Sequence, residues 1–135
     1  MTSPLTAEDV ELLRGENYAY LVTLNPDGTP QVTVTWVDAT DDGLVLVNSA
    51  VGRRKDRNIR RDPHVALAVP RGGDAYDWTS INGTVEELVE GDEALAHIDA
   101  LSRRYDHQPW TPTEGQVRVI YRIRPDRIHR YRSDG

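Results

Sequence analysis

Along this 135-residue chain, segments that read as strands, some alternating with period two and some continuously apolar, are interrupted in three places by segments that read as helices. Thr6-Ala7-Glu8-Asp9 has the form of a capping box, with Thr6 at the N-cap and Asp9 three residues on. A short helix follows, with Val10 and Leu13 on one face, and ends at Gly15. Residues 18–24 then read as a strand, and Asn25-Pro26-Asp27-Gly28 as a hairpin turn in which proline presets the bend and glycine takes the left-handed position. Over 31–37 the alternation is clean: Val32, Val34 and Trp36 fall on one face, Gln31, Thr33 and Thr35 on the other. Asp41-Asp42-Gly43 turns the chain into a third strand at 44–48, so the first three strands are expected to form an antiparallel meander.

Small residues at 49–52 read as a loop, and the basic stretch after them as a helix closed by Asp62-Pro63, because the residue before a proline leaves the α region. An apolar fourth strand is predicted at 65–69, a Gly-rich loop at 71–75, and a long fifth strand at 76–88 in which Gly83 marks a bulge or a close approach. Helical spacing returns at 90–105, where Leu95, Ile98, Leu101 and Tyr105 form one stripe. After a loop with Pro109, Trp110 and Pro112, residues 116–123 give a sixth strand. The order predicts a mainly β (α+β) single domain over 1–135: a small antiparallel barrel of six strands with peripheral helices.

Composition narrows the chemistry. With 38% hydrophobic and 28% charged residues the chain reads as globular, no apolar run reaches the length of a membrane span, and Met1-Thr2-Ser3-Pro4-Leu5 has no secretory pattern. Cysteine is absent, which excludes disulfides, thiolate catalysis and zinc–thiolate sites and fits a cytoplasmic protein. The four histidines show no metal-ligand spacing. Net charge is −6, yet residues 53–61 hold six cations against Asp56 alone, and the segment includes Lys55, the single lysine beside fifteen arginines. A compact ammonium among planar guanidinium forks suits a phosphate. Two basic patches, 53–61 and 116–132, on an acidic body suit a small anionic ligand better than nucleic acid, which favours a basic face. No Gly-x-Ser-x-Gly, no paired carboxylates on one helix and no His-Asp arrangement stands out.

Two segments carry a resemblance. Tyr-Leu-Val-Thr-Leu-Asn-Pro-Asp-Gly-Thr-Pro-Gln-Val-Thr-Val-Thr-Trp (20–36), followed by Gly-Arg-Arg-Lys-Asp-Arg-Asn-Ile-Arg-Arg-Asp-Pro (52–63), resembles the pyridoxamine 5′-phosphate oxidase-like split β-barrel superfamily. Within it the chain is most similar to the short deazaflavin (coenzyme F420)-dependent oxidoreductases, over residues 12–130. The resemblance implies a homodimer with its active site at the subunit interface and a small-molecule substrate. It also implies a cofactor phosphate held by Arg53, Arg54 and Lys55 with Asn58 nearby. Thr33, Val34, Thr35 and Trp36 would line the tricyclic ring, Asn48 and Ser49 would reach the ribityl chain, and the partner's fifth strand would bring Tyr76, Trp78 and Ser80 across the cleft. Arg57, Arg60 and Arg61 would be available to a longer anionic tail.

The chain departs from the pyridoxamine phosphate oxidases proper, which are longer and carry basic residues near the positions of Thr33 and Asp38. That departure speaks against vitamin B6 oxidation and against holding flavin mononucleotide (FMN) in their manner. A deazaflavin delivers hydride from its own ring, so the protein has to bind, orient and exclude water. Tyr76, Ser80 and Asn82 could bond a substrate carbonyl. An FMN-binding reductase or flavin carrier of the same fold is the alternative, and an RNA-binding module using 53–61 is the remote one, because no aromatic stacking set accompanies the segment.

Overall fold

The computed structural model describes residues 4–132, so most of the expectation made for residues 1–5 lies outside it. Seven strands and three α-helices follow one another as α1 (Ala7–Arg14), β1 (Ala19–Leu24), β2 (Pro30–Thr35), β3 (Asp38–Ala39), β4 (Val45–Ala50), α2 (Arg54–Arg61), β5 (His64–Pro70), β6 (Asp77–Glu90), α3 (Asp92–Tyr105) and β7 (Arg118–Arg132). They form one antiparallel sheet in the order β2-β1-β5-β6-β7-β4-β3. The mainly β architecture with peripheral helices is as expected, with seven strands rather than six and with β2 and β3 as edges that do not pair with each other. The predicted meander is corrected. β1 and β2 do form the hairpin, with Tyr20 opposite Val34. β4, however, pairs with β7 at the other end of the sheet, Val47 opposite Tyr121.

Several boundaries move for physical reasons. Ser49 and Ala50 belong to β4 rather than to a loop, because both are buried against β7. β7 runs well past residue 123, carrying Pro125 at the point where the β6–β7 register shifts and a missing N–H is tolerated. Gly83 sits at that shift. A Cβ there would lie 2.6 Å from Ile123 Cγ2 and 2.8 Å from the carbonyl oxygen of Arg124, so both expectations for this glycine hold. In α3 the buried stripe is Ala94, Ile98, Leu101 and Tyr105; Leu95 faces solvent.

The core fills the concave side of the curled sheet with Leu21, Val47, Leu67, Ile81, Tyr121 and Ile123, closed by Leu12 and Leu13 of α1 and Ile59 of α2. The capping box of α1 is present, with Thr6 Oγ1 accepting from Asp9 N–H and Asp9 Oδ2 from Thr6 N–H. Asp9 is fully buried and also accepts from Arg130 Nε at 2.9 Å, which ties the first helix to the last strand. Burial alone would raise this carboxyl, but the bonds from Arg130 and Thr6 outweigh it and hold it down to about 2.

On the convex side the pattern inverts. The apolar face of β2 does not enter the core: Val32 and Val34 are 59% and 58% exposed. The register places them level with Tyr20 and Val22 of β1, which stand level with Ala66 and Ala68 of β5, then Ser80 of β6. Trp78 and Tyr131 stack at the far end with ring centres 6.2 Å apart. This face of the sheet is therefore apolar over β2, β1 and β5 and turns polar at Ser80 and Asn82 of β6.

Candidate functional site

The basic segment is organised by its one acid. Asp56, 1% exposed, accepts from the Gly52 N–H at 2.9 Å, from the Tyr121 hydroxyl at 2.8 Å and from Arg60 Nε at 3.0 Å. Burial, together with that bond to the Asp56 carboxylate, pushes the Tyr121 hydroxyl far above the usual phenol range. The pin seats the first turn of α2 on β7 and leaves its neighbours free to point outward. Arg60 turns to Asp56 and Glu90, so it is not available to a ligand. No side chain caps the N-terminus of α2.

Arg53 and Lys55 enter a cavity of about 260 Å³ whose other walls are Tyr18, Val34, Thr35, Trp36, Asn48, Ile98, Leu101, Trp110 and Arg118. Trp36 leaves the end of β2 and stacks on Tyr105, ring centres 5.2 Å apart and planes 8° from parallel. The Tyr105 hydroxyl donates to the Asn17 carbonyl at 2.7 Å, and burial pushes its pKa above the usual phenol value. The Trp110 indole N–H is buried and has no partner among the described residues. Arg118, at the start of β7, donates from Nε to Asn48 Oδ1 at 3.0 Å and lies 5.0 Å over the Trp110 ring.

Three cations thus meet at one cavity, and among the described residues no carboxylate lies within ion-pair distance of Arg53, Lys55 or Arg118. Burial pulls the Arg118 guanidinium down to about 10, with the charge of Arg53 adding to it. Lys55 is lowered for the same reasons, burial first and then Arg53 and Arg118. An unneutralised cluster of this kind is unfavourable in the free protein and is relieved by an anion.

The predicted residues are distributed over several places. The cavity gathers Val34, Thr35, Trp36, Asn48, Arg53 and Lys55. Arg54 and Asn58 lie instead along a neighbouring groove of about 700 Å³, with Arg57, Arg61 and the β1–β2 turn. Asn58 is buried there and donates to Thr23 Oγ1 at 3.0 Å and Asn25 Oδ1 at 3.2 Å. Thr33 points to the inner side of β2, its hydroxyl unpartnered among the described residues, and Ser49 is fully buried. Trp78 and Ser80 lie on the convex face with Tyr20 and Ala68, around a concavity of about 470 Å³, and Tyr76 stands beside them, 6.3 Å from Tyr131.

Sequence reasoning did not find Tyr18 or Trp110, and it reached Arg118 only as one member of the basic patch 116–132; the fold brings all three to the cavity. It also found no His–Asp arrangement, yet His97 and Asp38, 59 residues apart, meet at 3.0 Å behind Asn48. Among the described residues no group of histidine and acid side chains has the form of a metal site.

Residues 5–131 match the profile of the pyridoxamine 5′-phosphate oxidase family. The chain belongs to that family. Its similarity to solved structures agrees with the split-barrel assignment. An F420 reductase is 35% identical, with a TM-score of 0.77 over 88% of this chain and 94% of that one. A conserved hypothetical protein from Mycobacterium tuberculosis is 24% identical, with a TM-score of 0.74 over 97% and 87%. The heme storage protein HutZ from Vibrio cholerae shares the fold at 16% identity, with a TM-score of 0.66 over 94% of each chain. Pyridoxamine 5′-phosphate oxidase-like barrels therefore include proteins of more than one activity, and residues have to decide between them. No helix among the described residues is long and apolar enough to cross a membrane.

Proposed function

We propose that this protein is an F420-dependent reductase that transfers a hydride between the deazaflavin and a small conjugated organic molecule (an enone, a quinone or a tetrapyrrole-like methine), working as a cytoplasmic homodimer. The observation that carries the reading is the trio Arg53, Lys55 and Arg118, without an ion-pair partner among the described residues and lining one aromatic-walled cavity. Its donor set fits a phosphate-bearing ring cofactor: two guanidinium forks and one ammonium for the phosphate, flat side chains for the ring. The 35% identity to an F420 reductase supports the choice of deazaflavin.

When bound, the deazaflavin supplies the hydride itself. Arg53, Lys55 and Arg118 hold its phosphate. Val34, Thr35 and Trp36 with Tyr18 and Trp110 flank its ring and keep water out. Arg54, Arg57 and Arg61, which have no ion-pair partner among the described residues and share their groove with the single acid Asp27, offer a second cationic track to an acidic tail. Among the described residues no acid lines the cavity, so the chemistry asked of the protein is orientation and desolvation rather than acid–base exchange.

The cavity is small for such a cofactor in one chain, and its β2 wall continues into the exposed convex face. A second copy packed on that face would cover it and bring Tyr76, Trp78 and Ser80 toward the site. A contiguous apolar surface of this kind marks an interface.

The test is spectroscopic and then catalytic. Purified protein is incubated with oxidised F420 and, separately, with FMN, and freed of unbound cofactor. Retention of the shorter-wavelength deazaflavin band is expected. Anaerobic mixing with reduced F420 and a panel of enones and quinones should then restore the oxidised band. Retention of FMN alone makes the protein a flavin-binding member instead, and tight F420 binding without reoxidation makes it a carrier.

A further inference from the structure

Behind the cavity lies a chain of polar groups that the proposed chemistry does not use. Asn48 stands at its centre, 6% exposed. Its Oδ1 accepts from Arg118 Nε at 3.0 Å, and its Nδ2 donates to the Ala94 carbonyl at 3.0 Å. Arg118 can only donate and a backbone carbonyl can only accept, so these two contacts identify which end of the Asn48 amide is oxygen and which is nitrogen. The same Nδ2 faces His97 Nδ1 at 3.2 Å, which must therefore accept. The ring proton then sits on Nε2 and is donated to Asp38 Oδ2 at 3.0 Å. Asp38 is held on its other oxygen by Arg104 Nη1 at 3.1 Å. Although burial would raise this carboxyl, the bonds from His97 and the backbone and the charge of Arg104 outweigh it, so it stays an acceptor. Every donor in the series meets an acceptor only in this arrangement.

We propose that His97, held as its Nε2–H tautomer by Asp38, is a positioning residue that sets the Asn48 amide and through it aims Arg118 into the anion site. The geometry divides the task between two ring atoms. Asp38 and Arg104 orient the imidazole from behind, and Nδ1 passes that orientation forward by holding the amide nitrogen. With Nδ1 lost, Asn48 keeps only the Ala94 carbonyl on that side, and the guanidinium loses the rigid acceptor that sets its plane beside Trp110. The identification of the ligand as a cofactor phosphate rests on the function proposed above; the alignment of Arg118 does not.

Two amide variants separate the two ring atoms. In His97→Asn the side-chain oxygen stands where Nδ1 stood and can still accept from Asn48, while the contact with Asp38 is lost. In His97→Gln the terminal amide reaches Asp38 and the acceptor beside Asn48 is lost. The primary readout uses the free protein: the Arg118 Nε–H resonance, assigned by its absence in Arg118→Lys, and the ring nitrogen shifts of His97. The wild type should show an Nε2–H tautomer and an exchange-protected Arg118 signal; His97→Asn should keep that signal and His97→Gln should lose it. Affinity for F420 by fluorescence titration should fall roughly tenfold in His97→Gln and stay within about twofold in His97→Asn. A proton on Nδ1, or equal behaviour of the two variants, overturns the proposal. Failure of the wild type to bind F420 overturns the cofactor reading instead, and the Arg118 resonance still judges His97.

Discussion

Lys55 shows at the scale of one residue how a site is maintained against the stability of its own fold. It shares a cavity with Arg53 and Arg118, burial and like charge both weaken its proton, and no carboxylate compensates. Lys55→Met removes the repulsion and keeps most of the packed stem, so the variant should melt a few degrees above the wild type in calorimetry. The same variant should bind F420 more weakly by about 1.5–3 kcal/mol, the contribution of a charge-assisted bond. Lower melting together with unchanged affinity would mean that Lys55 serves the fold and not the ligand. Arg118→Lys is a second measure: it keeps the charge but loses both the bond to Asn48 and the planar contact with Trp110, so affinity should fall despite the conserved sign.

Single interactions also decide how the elements are joined. Helix α1 is held to β6 and β7 by Asp9, which meets Arg130 and Arg132 and accepts from Thr79 Oγ1 at 3.2 Å. Its folded-state carboxyl lies near 2, below its ordinary value of 3.8. Stability from this carboxylate is therefore complete above about pH 4 and is lost as the pH falls toward 2, amounting to about 2 kcal/mol. Urea unfolding across that range should show a loss that is smaller by about this amount in Asp9→Asn, because the variant has already forfeited the ion pairs. Strand β6 offers a test of a different kind. Gly83→Ala would press a methyl against Ile123 and the Arg124 carbonyl, where backbone cannot yield, so a loss of about 1–3 kcal/mol in unfolding free energy is expected.

For the molecule as a whole, the deciding feature is the convex face. Tyr20, Val32 and Val34 are about half exposed, and they lie on the strand pair that leads into the cavity. A stable two-fold dimer of this fold would bury on the order of 2,000 Å² or more. Light scattering at micromolar concentration should report the dimer. Tyr20→Asp, outside the cavity lining, should yield a folded monomer that has lost F420 binding along with the interface. A wild-type monomer would remove the shared site, and a monomeric variant with full affinity would show that one chain suffices.

Much of this architecture was readable along the chain because it depends on local physics. The capping box at Thr6, the hairpin at Asn25–Gly28, the stop at Asp62-Pro63 and the bulge at Gly83 each follow from the backbone preferences of a few adjacent residues. The cluster of cations at 53–61 was equally visible, since charge needs no partner to be counted. Strand partners were not visible: the apolar run in 44–48 after the turn at Gly43 says that a strand exists, and only long-range packing on Tyr121 and Ile123 chose β7 over β2 as its neighbour. For the same reason the sequence could sort Val32 and Val34 from Thr33 and Thr35 but could not say which face is covered, because period two distinguishes two faces without telling which one packs on the core. Tertiary structure alone placed Arg118 beside Lys55 and His97 beside Asp38, since contacts between residues 59 or more apart in sequence are set by sheet order and helix docking, not by local spacing.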